Sequence, residues 1–207
     1  MCLVVLGTAG CVGAVQRPDF EQQLRSRGGG LVSDLPGGAL AALRERLGAA
    51  DIQAGVILLA APNTAQFRLV LFDQPPQLTR FLSDRPEIGA RQAVARLRIR
   101  PPGASRALDD YSFTLGALSA PEPVRVSARD DLDGESFAVS EVPGLGRIEE
   151  IVDTAIARGE VPGGEVTALV VGRFGREIRI VTNVVSPRTE AVVEFDRTGA
   201  YLRTRQA

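Results

Sequence analysis

The chain has no histidine, no tryptophan and no lysine; its 24 basic residues are all arginine. These absences exclude whole classes of chemistry. Without histidine there is no Ser-His-Asp triad and no imidazole metal ligand. Without lysine there is no Schiff base and no phosphate-loop lysine. Cysteine is almost as scarce. The two residues present, Cys2 and Cys11, both fall in the first eleven positions. Beyond them there is no thiol nucleophile and no possible disulfide. Carboxylates, hydroxyls and guanidinium groups are what remains for catalysis.

What is present is ordinary for a folded domain. Hydrophobic residues make up 44% and charged residues 24% of 207, enough for a core without metal or disulfide support. The net charge of -1 provides no general field for nucleic acid. Arginine in place of lysine, beside abundant Ala, Gly and Val, fits a high-GC genome.

Residues 1–15 are apolar and uncharged, a length that suits an export signal and is too short for a spanning helix. Thr8-Ala9-Gly10-Cys11 resembles the lipobox of bacterial lipoproteins, in which small residues precede a cysteine that takes the lipid. The resemblance implies lipidation at Cys11, a membrane anchor and a place on the extracytoplasmic face of the cell membrane. Thr8 stands where that motif usually has Leu, and no basic residue precedes the apolar run; a start further upstream would supply one. Two other readings of the segment stay open, a plain cleaved signal peptide and a buried first strand over Cys2–Leu6.

The remaining chain is expected to be α+β, with helices on one face of an antiparallel sheet. Leu40, Leu43 and Leu47 have helical spacing. Ala54–Ala60 and Gln66–Asp73 read as a strand pair, and Leu78–Leu82 as a short helix. Residues 91–100 alternate, with Ala93, Ala95, Leu97 and Ile99 inward and Arg96, Arg98 and Arg100 outward, which predicts a half-exposed strand. Strands are also expected over Tyr111–Leu115 and Val124–Ser127. Ile148, Ile151, Val152, Ala155 and Ile156 follow i, i+3, i+4, i+7, i+8, which predicts an amphipathic helix. Strands over Val166–Arg173, Glu177–Val185, Ala191–Phe195 and Ala200–Arg203 complete the pattern.

The two parts look alike. Leu35-Pro36-Gly37 leads into the first helix and Val142-Pro143-Gly144 into the second, and an aromatic strand closing on glycine follows each (Tyr111 to Gly116, Glu194 to Gly199). A degenerate duplication is expected, divided as 1–19 signal segment and tether, 20–130 first half and 131–207 second half, or one continuous domain. A helix followed by antiparallel strands resembles the PepSY and β-lactamase-inhibitor-protein type of repeat, which implies an inhibitory or regulatory secreted module. The stretch from Gly116 to Val124 resembles segments of uncharacterised actinobacterial lipoproteins, which lend no activity.

Three groups of residues could form a site. Arg96, Arg98 and Arg100 could meet an acidic protein or anionic headgroups, or be an ordinary solvated strand face. Asp131, Asp133 and Glu135, with Gly134, match part of a calcium loop, but its flanking helices are missing and a solvated turn is the preferred reading. Asp109 and Asp110, with Asp130, Asp131 and Asp133, are the carboxylates a hydrolase or transferase would need. The leading expectation is a non-catalytic envelope binding or accessory domain with no cofactor and an envelope protein or lipid as partner. An inhibitor of an envelope enzyme using loop 128–136 is the alternative, and a carboxylate-dependent hydrolase a minor one.

Overall fold

The structure, a computed structural model, describes residues 31–62, 72, 74–83 and 92–206. Cys2, Cys11, the signal-like segment and, apart from Phe72, the expected strand Gln66–Asp73 lie outside them.

In chain order the principal elements are α1 (Asp34–Leu47), β1 (Gln53–Ala60), α2 (Pro76–Ser83), β2 (Val94–Arg100), β3 (Asp109–Thr114), β4 (Ala117–Leu118), β5 (Glu122–Pro123), α3 (Leu132–Glu135) and β6 (Phe137–Ala138). After two short 3-10 turns, Val139–Glu141 and Pro143–Gly146, come α4 (Ile148–Gly159), β7 (Glu165–Phe174), β8 (Glu177–Val185), β9 (Glu190–Asp196) and β10 (Tyr201–Gln206).

Among the described residues one antiparallel sheet carries ten strands, in the order β10-β9-β8-β7-β1-β2-β3-β4, with β5 beside β3 and β6 beside β1. The architecture is α+β. The sheet runs without a break across both expected halves. Its centre is the pair β1–β7, in register from Val56 opposite Gly172 to Ala60 opposite Ala168. Each of these two strands follows a long helix.

Both faces of the central strands are covered, which explains their near-continuous apolar sequences. On one face α1 and α4 supply Leu40, Leu43, Ile148, Ile151 and Val152, packed with Ile57, Leu59, Leu169, Val171, Ile180 and Phe195. On the other face Leu78 and Phe81 of α2 join Val56, Leu58, Val170, Val181 and Val192. Ser33 ties the two long helices together. Its hydroxyl accepts from the Ile148 amide at the start of α4 (3.0 Å) and donates to Glu149, and its own amide donates to Glu149 Oε1 (2.9 Å).

Several expectations needed correcting. Leu35-Pro36-Gly37 lies in the first turn of α1 rather than leading into it; proline is tolerated there because the N–H groups of the first turn have no intrahelical partner to lose. The expected strand over Val124–Ser127 is non-regular chain; only Glu122–Pro123 pairs with β3. The acidic turn contains a single helical turn, α3, capped by Asp131, whose Oδ1 accepts from Gly134 N at 2.9 Å. Leu115 lies outside β3, in a two-residue turn with Gly116; their φ angles are 50° and 76°, as tight hairpins demand.

Candidate functional site

The row Arg96, Arg98 and Arg100 starts from β2, whose alternation points these side chains to the face of the sheet that α2 covers. The expectation of a half-exposed strand fails here. Arg98 is 1% exposed and Arg96 4%, because α2 lies across them. Arg100, beyond the end of that helix, is partly exposed and reaches Asp133 at 2.5 Å and the Ser105 carbonyl at 2.8 Å.

Burial of a guanidinium demands partners, and Arg98 has them. It makes a two-pronged bond with Asp110 from the neighbouring strand β3, Nε to Oδ1 at 2.8 Å and Nη2 to Oδ2 at 2.9 Å. Its Nη1 donates to the Gln77 carbonyl at 3.2 Å and to Gln77 Oε1 at 3.3 Å. The Phe81 ring lies 5.0 Å from its guanidinium carbon and 4.5 Å from that of Arg96, so the aromatic face of α2 meets both cations.

The acidic loop secures the same helix. Asp130 holds Arg80 through two bonds, at 2.5 and 3.0 Å. The Arg80 hydrogen bonds keep the Asp130 carboxyl below its ordinary pKa, against some desolvation. Glu135 Oε2 accepts from the Gln77 amide at 3.0 Å. Burial pushes Glu135 up, only partly offset by that bond.

The three calcium-loop carboxylates are thus directed to different partners. Asp131 caps its own turn, Asp133 meets Arg100 and Glu135 meets α2. Among the described residues no group of three or more His, Cys, Asp or Glu is placed to hold a metal ion. Asp109 and Asp110 are likewise separated by the strand's two-residue period. Asp110 is committed to Arg98. Asp109 has its pKa raised by burial first and by the charge of Asp110 second.

A second charged cluster was not anticipated from the sequence. Glu194 of β9, buried to 3% exposure, receives Arg179 of β8 at 3.1 Å and, from β10, Arg203 at 2.9 Å and Arg205 at 3.1 Å. Its only sequence signal is a glutamate within the apolar run Ala191–Phe195. Beside it, at the tips of the β7–β8 and β9–β10 turns, is a pocket of about 340 Å³ whose wall includes Arg173, Arg176, Arg197, Ile178 and Leu202.

The chain matches no protein-family model. No curated protein matches it. A solved structure of a candidate lipoprotein from Clostridium difficile 630 is similar over 82% of this chain and 90% of that one, with 9% sequence identity and a TM-score of 0.47. The likenesses to PepSY-type repeats and to actinobacterial lipoproteins therefore rest on the residues quoted for them alone. Among the described residues no helix is long and apolar enough to cross a membrane.

Proposed function

We propose that the chain is a non-catalytic binding or accessory domain of the cell envelope, held at the extracytoplasmic face of the membrane by a lipid on Cys11. One observation favours binding over chemistry. Of the five carboxylates singled out for chemistry, four are engaged one by one: Asp110 with Arg98, Asp130 with Arg80, Asp133 with Arg100, and Asp131 in a helix cap; Asp109 is set apart from Asp110 by the strand's alternation. A general acid–base pair needs two carboxylates facing one space with their pKa values pushed apart. The anchor is supported by the small residues before Cys11. The mirrored placement of α1–β1 and α4–β7 about the sheet centre also supports descent from a duplicated helix-and-strand unit.

A protein partner is favoured over a small ligand, since among the described residues both faces of the central sheet are filled by the chain's own side chains. In loop 128–136, Asp130, Asp133 and Glu135 brace α2 and β2, which favours the accessory-domain reading over the inhibitor one.

The deciding experiment expresses the chain from its native upstream DNA and compares it with Cys11→Ser by intact mass and by membrane partitioning. The expected result is a membrane-bound species beginning at Cys11 with added lipid mass, absent in the variant. A soluble, unprocessed chain in both would overturn the envelope reading.

A further inference from the structure

The two edges of the sheet differ. At one edge β4 and β5 are each two residues long, short enough to offer little to a neighbour. At the other, β10 runs six residues without proline, and among the described residues no strand pairs with its outer side. Tyr201 and Leu202, both exposed, lie at its start. Leu202 also lines the pocket at the turn tips, so the edge and the pocket form one continuous surface.

Four arginines line that pocket against three carboxylates. Its carboxylates already have tasks. Asp196 accepts from Thr198 and Ala200 in the β9–β10 turn, Glu177 takes both Nε and Nη2 of Arg179, and Glu141 caps the Ala138 amide. On the cationic side, Arg176 sits at the tip of the β7–β8 hairpin, where Gly175 takes φ 64° and turns the chain outward. Its guanidinium has no hydrogen-bond or ion-pair partner among the described residues. Arg197 meets Glu141 only at 3.8 Å.

We propose that β10 is a docking edge for an extended acidic segment of a protein partner. The partner's backbone would pair with β10, its carboxylates would meet Arg176 and Arg197, and its apolar side chains would cover Leu202 and Tyr201. This is strand addition, in which main-chain bonds supply affinity and side-chain pockets supply specificity. The proposal rests on the binding-domain reading above and names the partner's chemistry. A second copy of this chain fits less well. Pairing two β10 strands about Thr204 would set Arg203 of one opposite Arg205 of the other, and like charges directly opposite destabilise a pair.

The test uses the full chain in detergent and fluorescein-labelled octapeptides, read by fluorescence anisotropy. One peptide alternates Glu and Val, and one alternates Lys and Val. Two further Glu-Val peptides are N-methylated on one or the other set of alternate amides. The expected result is salt-sensitive binding of the Glu-Val peptide. The Lys-Val peptide and one N-methylated version should bind at least tenfold more weakly. The double variant Arg176→Glu/Arg197→Glu should show a loss of at least tenfold with its melting curve unchanged.

The proposal is overturned if the Glu-Val peptide does not bind, if neither methylation pattern matters, or if the double variant binds as the parent does. It is also overturned if light scattering shows the edge closed by a second copy, or if anionic phosphatidylglycerol vesicles, and not the peptide, are what the variant loses. Each of these leaves the tethered-domain reading to be judged separately by the mass and partitioning of Cys11.

Discussion

Arg98 shows how a residue's role depends on what lies above it. From its own strand it belongs to a polar row; in the fold it is a buried cation bound by Asp110 and Gln77. Removing one member of such a pair strands the other. Arg98→Ala is therefore expected to cost about 3–5 kcal/mol, measured by urea unfolding. Glu135 and Asp130 act in opposite directions with pH. Glu135's pKa is raised, so the folded state binds its proton more tightly than the unfolded chain does. Its contribution is present below the unfolded value, about 4.3, and is lost as pH rises through the raised folded value. Asp130's pKa is lowered, so its contribution holds above the unfolded value and is lost as pH falls through the folded one. Glu135→Gln keeps an oxygen for the Gln77 amide and removes the buried charge. It should raise the melting temperature at pH 7 by about 2–4 °C and leave it unchanged near pH 3. Asp130→Asn should cost about 1 kcal/mol at pH 7, with the loss fading in acid. The alternation of β2 was legible in the sequence, but the burial of its polar side was not. Alternation states which residues share a side of a strand and is silent on whether a helix from elsewhere covers that side.

Among the elements, α4 was the most legible. Its five apolar residues fix one face, Glu149 and Glu150 suit the positive N-terminal end of its dipole, and it forms over Ile148–Gly159 as the spacing predicts. β8 is equally faithful, with its turn glycine just ahead of it. Where the boundaries shifted, local chemistry explains it: the first turn of α1 tolerates Pro36, so the helix starts ahead of it at Asp34, and Leu115 leaves β3 because the hairpin requires a positive φ. Gly144 is held by tertiary packing that no local pattern reveals. A Cβ there would lie 2.6 Å from Ile180 Cδ1 and 2.9 Å from the Gly199 amide. Gly144→Ala should destabilise by about 1–3 kcal/mol, checked by denaturant titration. On the opposite face α2 depends on one ring. Phe81 is fully buried and contacts both guanidinium groups. Phe81→Ala should cost about 3–5 kcal/mol, and hydrogen exchange should show α2 losing protection before β1 and β7 do.

At the scale of the whole molecule, the order of strands was the least legible feature. Each strand's existence could be argued from local composition, and the α+β class with it. Which strands meet is decided by contacts distant in the chain. β1 invites pairing with the apolar stretch that follows it, yet its neighbours are β2 on one side and β7 on the other. The candidate sites share this limit: the Glu194 cluster draws on three strands, and the support of α2 on the acidic loop, β2 and β3.

The β1–β7 junction bears on how the molecule is made. Ile57 finds its partner at Val171, more than a hundred positions later, so β1 is synthesised long before its neighbour exists. Until then a wholly apolar segment, Val56–Ala60, is exposed with an unpaired side. Such a segment is a template for aggregation, and distant pairing slows folding. A chain with this layout carries an aggregation-prone segment from the time β1 is made until β7 has arrived to cover it. Truncation before residue 165 would then yield an insoluble fragment rather than a smaller working one.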